Sequence, residues 1–250
     1  MATILSFSTG GRSELSESSR TRRTTLTEFL SSTAWFEMLG PLAQERVLAD
    51  SYERVHETRS VVVPRGEVAR SWIGVIEGLV KADTQNVSGK TVMFCAFPQG
   101  AWLGEGSVIK KEQRRYELMA LRPTTVAHVP RPTFMWLLET STDFSRFIID
   151  HLNERAGQFI GAMELLRIEQ PAARVAAAIC NLFNPVLYPN ASPLLNILQE
   201  EIGELAGLSR ATTNIALKRL QQLSLVRVEY GALLVMDLEA LRDFSQRASH

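Results

Sequence analysis

Residues 199–223 read QEEIGELAGLSRATTNIALKRLQQL, and this stretch decides how the C-terminal third of the chain folds. It predicts a short amphipathic helix, a tight turn over residues 207–209 and a second helix over residues 210–223. Gly207 accepts the positive φ that ends the first helix, and the Ser209 hydroxyl can cap the N–H groups of the second. The sequence therefore predicts a helix-turn-helix.

The second helix is predicted to have one apolar and one polar face. Ala206, at the end of the first helix, is small enough to let the two helices pack closely. The residues predicted to include the inward face are Ile215, Leu217, Leu220 and Leu223. The residues predicted to point outward, where they could bind nucleic acid, are Arg210, Thr213, Asn214, Lys218 and Arg219.

The distribution of charge favours a nucleic-acid partner, although the total charge does not. The 250 residues carry 27 Lys and Arg and 27 Asp and Glu, so the formal charge is zero, which excludes attraction of the whole molecule to DNA, membranes or acidic partners. Between Glu204 and Glu229, however, there is no acidic residue. The basic residues in that gap are Arg210, Lys218, Arg219 and Arg227. We therefore expect a local cationic face of charge +4.

A hairpin is predicted directly after the second helix. Residues 225–228 and 233–236 are apolar β-type runs on either side of the turn Glu229-Tyr230-Gly231, and Asp237 can cap a final helix. A hairpin at this place makes the unit a winged helix-turn-helix over residues 171–250.

The N-terminal half shows a β-type pattern. Short apolar runs at residues 61–63, 72–76, 91–97 and 124–129 end in turn residues, which predicts a small antiparallel, jelly-roll-like sandwich or barrel over residues 29–142. Two short helices are expected around Trp35 to Val47, and residues 1–28 are expected to be a disordered lead. The predicted fold class is therefore α+β.

A long helix is predicted over residues 143–170, between the two units. Asp143 is its expected N-cap, and Pro171 marks the boundary to the C-terminal domain. The helix carries an apolar stripe made of Ile148, Leu152, Phe159, Met163 and Leu166. Such a stripe can pack on the β-domain or on its own copy in a second subunit.

Other function classes have little support in the sequence. Cys95 and Cys180 are 85 positions apart with no Cys or His at metal-ligand spacing, and no apolar stretch approaches the ~20 residues that span a bilayer. A cytoplasmic protein without a metal is therefore expected. A metal-dependent oxygenase on a β-barrel would need clustered His and carboxylate ligands, whereas His56 and His128 lie in separate runs, so we expect no enzyme.

The segment from Glu201 to Leu220 resembles the helix-turn-helix of the Crp/Fnr family of bacterial transcription regulators, and the resemblance covers residues 30–245. The turns at residues 65–67 and 75–78 resemble those of its cyclic-nucleotide-binding β-roll, and the helix from Asp143 resembles its dimerisation helix. The resemblance implies a homodimer whose two recognition helices enter successive major grooves about 34 Å apart on a pseudo-palindromic operator. RNA polymerase is a further partner that the resemblance allows.

The resemblance also implies roles for residues at the start of the recognition helix. Ser209, Arg210 and Thr212 match family positions that contact phosphates or bases, and Arg210 is the candidate for a bidentate guanine contact. Ala211 and Ile215 depart from the family pattern, so a TGA-type half-site is not expected. Thr213 and Asn214 are then candidates for alternative contacts.

A second motif, Trp102 to Ser107 followed by Arg115, resembles the phosphate-binding cassette of the β-roll. The resemblance implies that backbone N–H groups near Gly104, Gly106 and Ser107 hold phosphate oxygens. Glu105 would accept the ribose 2′-hydroxyl, and Arg115 would pair with the cyclic phosphate.

Two features depart from a cyclic-nucleotide site. Tyr116 stands where a small residue is usual and would compete for space beside the phosphate, and Phe159-Ile160 stands where cyclic-AMP sensors present a polar pair to adenine. A purine amine without a partner costs ~1–3 kcal/mol. A different effector, or none, is therefore favoured, and a cyclic nucleotide in a modified pocket stays open. A cyclic-AMP- or cyclic-GMP-binding module that acts through protein contacts is the alternative function.

Overall fold

The computed structural model describes residues 23–85 and 91–247. Residues 1–22 of the predicted disordered lead lie outside these ranges. The prediction that the lead extends to residue 28 is wrong, because helix α1 (Leu26–Ser31) begins inside it. Thr25 caps this helix, since its hydroxyl accepts from the N–H of Glu28 at 3.2 Å and the Glu28 carboxylate accepts from the N–H of Thr25 at 2.9 Å. Helices α2 (Ala34–Glu37) and α3 (Pro41–Asp50) follow where the sequence predicts them.

Two four-stranded antiparallel sheets form the N-terminal domain. The strands, in chain order, are β1 (Tyr52–His56), β2 (Val61–Val63), β3 (Ser71–Glu77), β4 (Leu79–Gln85), β5 (Thr91–Pro98), β6 (Trp102–Leu103), β7 (Glu117–Ala120) and β8 (Thr124–Pro130). One sheet has the order β1-β8-β3-β6 and the other β2-β7-β4-β5. The predicted antiparallel β-roll is therefore confirmed.

An aromatic cluster fastens the N-terminal helices to the β-roll. Trp35 of α2 lies 5.2 Å, between ring centroids, from both Trp72 of β3 and Trp102 of β6, and all three rings are buried. Phe144 packs on the first two of these rings at 5.7 and 5.9 Å. Burying one such side chain stabilises a fold by roughly 1.5–3 kcal/mol, so this cluster anchors the elements that meet there.

Three helices follow or interrupt the strands: α4 (Glu105–Lys110), α5 (Arg131–Thr140) and the long α6 (Thr142–Leu165). The prediction of a helix over residues 143–170 with Asp143 as N-cap is corrected at both ends. Ser141 is the cap, because its hydroxyl accepts from the N–H of Phe144 at 3.2 Å. Pro171 does not break α6; it occupies the first turn of the next helix, where its missing N–H costs nothing.

Over residues 171–247 the C-terminal domain contains five helical segments and a small sheet. The helices are α7 (Pro171–Cys180), a 3₁₀ turn (Asn181–Phe183), α8 (Gln199–Ala206), α9 (Arg210–Gln222) and α10 (Leu238–Arg247). Strands β9 (Leu194–Leu195), β10 (Val226–Glu229) and β11 (Ala232–Val235) form an antiparallel sheet in the order β10-β11-β9. The predicted cap of α10 is confirmed, since Asp237 Oδ1 accepts from the N–H of Ala240 at 2.9 Å.

The two domains share an apolar core. Leu79, Met93 and Leu121 of the β-roll belong to the same buried cluster as Val175 and Ile179 of α7. A bidentate ion pair lies beside it: Arg122 Nη2 and Nη1 donate to Glu201 Oε2 and Oε1 at 2.6 and 3.0 Å. The C-terminal domain is thus docked on the β-roll through this core and ion pair.

Candidate DNA interface and effector cavity

The crossing of α8 and α9 depends on two glycines. Gly207 ends α8 with φ of 62°, as the sequence predicts. The helices also approach closely at Gly203: a Cβ there would lie 2.7 Å from Thr213 Oγ1 and 3.3 Å from the Leu208 carbonyl oxygen. The two helices therefore meet at a distance that only glycine permits at position 203.

Ser209 caps α9 as predicted. Its hydroxyl accepts from the N–H of Thr212 at 3.2 Å and lies 2.8 Å from the Thr212 hydroxyl. This pair of hydroxyls stands at the exposed start of the helix, beside the exposed side chain of Arg210. The cap sets the angle at which the first turn of α9 is presented to solvent.

The structure corrects the predicted faces of α9. Thr213, predicted to point outward, is fully buried, and its hydroxyl donates to the Ser209 carbonyl oxygen at 2.9 Å. Ile215, predicted to point inward, is 71% exposed, and Leu223 is also exposed at 38%. Asn214 is half-buried, and its Oδ1 finds no partner among the described residues. Thr213 therefore cannot contact DNA and instead holds α9 against α8.

The exposed face of α9 is cationic. Arg210, Lys218 and Arg219 are exposed, and in the part of the chain that the structure describes none of them forms an ion pair. The fourth predicted cation is different, because Arg227 Nη2 lies 2.8 Å from Glu229 Oε1 within strand β10. The local charge available to a partner is therefore nearer +3 than +4.

The predicted hairpin is present next to this face. Strands β10 and β11 pair in register from Val226 with Val235 to Glu229 with Ala232, and Gly231 makes the turn with φ of 74°. Tyr230 stands fully exposed at the tip. The order of helix, turn, helix and hairpin is the arrangement of a winged helix-turn-helix.

The apolar stripe of α6 divides between two surfaces. Ile148 is buried against the β-roll, whereas Ile149, Phe159, Met163 and Leu166 are exposed by between 37% and 66%. One row of exposed and half-exposed apolar residues follows steps of three and four: Ile149, Leu152, Ala156, Phe159, Met163 and Leu166. Ile160, which is 59% exposed, lies outside this row. The row is a heptad pattern over about 25 Å of helix. In a single chain no other helix covers this row of apolar side chains over the described residues.

Gly104, Glu105, Gly106 and Ser107 lie where β6 turns into α4. Gly104 has φ of 88°, and Glu105 is 3% exposed. Glu105 Oε1 lies 3.4 Å from His151 Nδ1 and 4.0 Å from Arg155 Nε, both on α6. Burial alone would raise the pKa of Glu105, but the nearby His151 ring and the Arg155 guanidinium lower it, so the carboxylate stays charged.

The prediction that Arg115 faces the cassette is wrong. Its side chain is 77% exposed, and its Nη2 lies 3.6 Å from Glu112 Oε2. Its neighbour Arg114 is buried: it is 3% exposed and donates from Nη2 to the Ser71 carbonyl oxygen at 3.0 Å. Its Nη1 has no partner among the described residues and lies so close to Gly104 that no Cβ would fit there. Burial lowers the pKa of Arg114.

Tyr116 follows Arg114 on the inward side of the roll. Its ring packs edge-on against Phe94 at 5.4 Å between centroids, and burial raises the pKa of its hydroxyl. Phe159 lies 6.3 Å from the same Phe94 ring. Of the three residues that depart from a nucleotide site in the sequence, Tyr116 and Phe159 thus both approach the Phe94 ring, whereas Ile160 is 59% exposed.

A tyrosine of the C-terminal domain fills the interior of the β-roll. Tyr188, in the loop after the 3₁₀ turn, is 1% exposed and belongs to the buried cluster of Val80, Leu103 and Leu118. Its hydroxyl accepts from Arg155 Nη1 and from Gln158 Nε2, both at 2.9 Å. Burial raises the pKa of Tyr188, so its hydroxyl is neutral.

Arg155 connects this tyrosine to the cassette. Its Nη2 donates to the Trp102 carbonyl oxygen at 2.7 Å, one side of its guanidinium approaches Glu105, and it lies over the Phe97 ring at 5.1 Å. A continuous polar chain therefore runs from Glu105 through Arg155 to Tyr188. It passes from the β-roll, through the long helix, to the C-terminal domain.

Sequence reasoning missed four of these residues, namely Arg114, His151, Arg155 and Tyr188. No strand pattern marks the first, because Arg114 lies just before β7 begins at Glu117, where side chains do not alternate regularly. The helical period of α6 places His151 and Arg155 with Ile148 on one face. No local signal marks Tyr188, since it lies in a loop.

Membrane-spanning helices and metal sites are the two remaining features that bear on function. Over residues 23–85 and 91–247 no helix combines the length and apolar character needed to cross a bilayer. Within the same ranges, no three His, Cys, Asp or Glu side chains are grouped so as to hold a metal ion.

Comparison with known proteins matches both domains in order. Residues 53–141 match the cyclic nucleotide-binding domain, and residues 173–244 match the Crp-like helix-turn-helix domain. The cAMP-activated global transcriptional regulator CRP of Pasteurella multocida is 23% identical over 195 residues, which cover 76% of this chain and 93% of that protein.

Solved structures share the fold. FixK2 from Bradyrhizobium japonicum superposes with a TM-score of 0.65 at 16% identity, covering 78% of this chain and 96% of that one. The c-di-GMP responsive global regulator CLP of Xanthomonas campestris gives a TM-score of 0.57 at 22% identity, covering 79% and 100%. With both domains matched and the β-roll, long helix and winged helix-turn-helix present in the same order, the chain belongs to the Crp/Fnr family of DNA-binding transcription regulators.

Proposed function

We propose that the protein acts in the cytoplasm as a homodimer that binds a pseudo-palindromic operator, with one recognition helix, α9, in the major groove of each half-site. The observation that carries this proposal is the exposed face of α9, which combines unpaired cations with a buried opposite face fixed by Thr213, Leu217 and Leu220. A helix presented in this way matches the width of the major groove.

Different residues of α9 are assigned different roles. Arg210, in the first turn, is the candidate for a hydrogen-bond contact with guanine. Ser209 and Thr212 supply hydroxyls near a phosphate. Lys218 and Arg219 contact phosphates further along the helix. Asn214 remains a candidate at the edge of this face, whereas Thr213 is withdrawn because it is buried.

Titration of labelled operator with two variants separates these roles. Arg210→Ala is expected to cost ~1–3 kcal/mol of specific binding and to relax specificity, whereas Lys218→Ala is expected to weaken all sequences alike and to reduce the salt dependence. Arg146→Ala, an exposed cation on α6, is the matched control. Unchanged operator affinity in Arg210→Ala would overturn the assignment of α9 as the reading helix.

We propose the exposed heptad face of α6 as the dimer contact. A second copy of the same helix would cover Ile149, Phe159, Met163 and Leu166, and steps of three and four are the pattern by which two parallel helices pack. Met163→Glu should yield a monomer by light scattering, whereas Asp150→Lys, a charge change on the outer face of α6, should not. A dimer that survives Met163→Glu would contradict this interface.

We propose that Tyr188 occupies part of the space that an effector of the β-roll would take, so that a ligand has to displace it. The support is its burial inside the roll and its connection through Arg155 to Glu105, the cassette residue. Arg115, which the cassette resemblance pairs with phosphate, faces solvent instead. A regulator that uses a ligand other than a cyclic nucleotide, or none, fits these facts best.

Calorimetry distinguishes a β-roll that binds a cyclic nucleotide from one whose interior is occupied by Tyr188. Cyclic AMP and cyclic GMP, each titrated to about 1 mM, should give no binding heat with the wild-type chain. Binding of either nucleotide should appear only in Tyr188→Ala, where the space inside the β-roll is free. Tight binding of either nucleotide to the wild type would overturn the proposal. A dimer that binds nucleotide but no DNA would favour the alternative, a module that acts through protein contacts. Run-off transcription from an operator-bearing promoter tests RNA polymerase as the downstream partner.

A further inference from the structure

The centre of the exposed face of α9 is apolar. Ile215 is 71% exposed and Ala211, one turn before it, is exposed too. The other aliphatic side chains of the helix, at positions 216, 217 and 220, are all buried. An isoleucine on the outer face of this helix therefore makes no contribution to the core of the domain.

The cations stand around this apolar pair. With 3.6 residues per turn, Arg210 and Arg219 lie about 180° apart around the helix axis, and Ala211 and Ile215 fall between them. Lys218 lies on the same outward side, one turn beyond. A partner that fits this surface needs negative charge around an apolar centre, which is how a major groove presents thymine methyl groups between two phosphate backbones.

Resting on the DNA-binding function proposed above, we infer that Ala211 and Ile215 determine specificity by contacting the 5-methyl group of a thymine in each half-site. Neither side chain can donate or accept a hydrogen bond, so neither can read a guanine or an adenine edge. The thymine methyl is the one apolar group that a base pair offers in the major groove. The half-site therefore contains an A·T pair whose thymine faces Ile215, near the base pair that Arg210 reads.

Uracil tests this contact because it differs from thymine only by the methyl group. An operator selected by the wild-type chain from random DNA is resynthesised with each thymine replaced in turn by uracil, symmetrically in both half-sites. Affinity should fall about four-fold per half-site at one position, and remain unchanged at the others.

Two variants show which side chain is responsible. In Ile215→Ala the uracil penalty at that position should fall by at least half, while Gln222→Ala, an exposed neighbour on the same helix, should keep it. Ile215 is exposed, so its replacement should leave the melting temperature unchanged, and circular dichroism checks this. No uracil effect at any position, or the same effect in Ile215→Ala, overturns the inference. If the wild type selects no sequence at all, the DNA-binding proposal fails instead, and the two outcomes stay distinct.

Discussion

Arg155 Nη1 donates a hydrogen bond of 2.9 Å to Tyr188 Oη, and this contact joins the long helix to a loop of the DNA-binding domain inside the β-roll. The same guanidinium approaches Glu105 and bonds the Trp102 carbonyl oxygen. Because the network links the cassette to the C-terminal domain, any ligand that moves Glu105 or Arg155 also changes how that domain is held.

Removing the tyrosine hydroxyl should weaken this docking. Tyr188→Phe leaves the ring in place but deprives Arg155 and Gln158 of a buried acceptor, which should cost about 1–3 kcal/mol of unfolding free energy. Hydrogen exchange should rise in residues 184–193 and in strand β5, which Tyr188 contacts. The control is Tyr230→Phe, at the exposed tip of the hairpin, where no change is expected. Equal exchange in both variants would argue against an interdomain role for the hydroxyl.

The ion pair between Arg122 and Glu201 should be a second point of attachment. Glu201 is 8% exposed and also accepts from the N–H of Leu198 at 2.8 Å, so Arg122→Ala leaves a buried carboxylate only partly satisfied. We expect the free energy of unfolding to fall by about 2 kcal/mol and proteolysis between the domains to become faster. The exposed Arg65→Ala serves as control. The exchange Arg122→Glu with Glu201→Arg should restore part of the loss if the contact is ionic, and none if it is not.

Two glycine-to-alanine substitutions should change the stability of the fold in opposite directions. Gly203→Ala places a Cβ 2.7 Å from Thr213 Oγ1 and should separate α8 from α9. We expect the melting temperature to fall and the affinity for the operator to decrease by more than ten-fold. Gly157→Ala, on α6, meets nothing within 4 Å and should stabilise the chain by about 0.5–1 kcal/mol. Thermal melting measures both. Equal melting temperatures would contradict the close crossing at Gly203.

The β-roll should lose stability as the pH falls through the range of His128. Its ring lies 2.8 Å from the Ser71 hydroxyl, and burial, followed by the charges of Arg54, His56 and Arg114, lowers its pKa to about 4. The unfolded chain takes up this proton near pH 6.5 and the folded chain does not, so the stabilisation is complete above pH 6.5 and declines towards pH 4.

Between pH 7 and pH 5 we expect His128 to account for about 2 kcal/mol of lost stability, measured by urea unfolding. His128→Gln retains a partner for Ser71 but does not titrate, so its stability should depend less on pH over this interval. An identical pH dependence in the variant would show that other groups control it.

The sequence was informative where the signals are local. Gly207 requires a positive φ, Ser209 caps α9, and the paired runs of β10 and β11 alternate around Gly231, so the winged helix-turn-helix could be predicted closely. These features depend on neighbours within a few residues, and their energetics do not change with the rest of the fold.

Orientation and long-range contact were less predictable. Thr213 is buried and Ile215 is exposed, the reverse of the prediction. The side on which α9 packs depends on α8 and Gly203, not on the composition of α9 itself. Arg114 is buried and Arg115 exposed in the bend before β7, where no periodic pattern shows which of two adjacent arginines faces inward. Tyr188 lies 33 residues from Arg155 in a loop, where periodicity carries no information.

In the proposed complex, two copies of α9 read successive major grooves of one operator. The most direct measurement is the affinity of the full chain for its selected operator and for the same operator with five base pairs inserted between the half-sites. Half a turn of DNA places the second half-site on the opposite side of the duplex, so we expect the affinity to fall by at least about 100-fold. Equal affinity for both DNAs would contradict it.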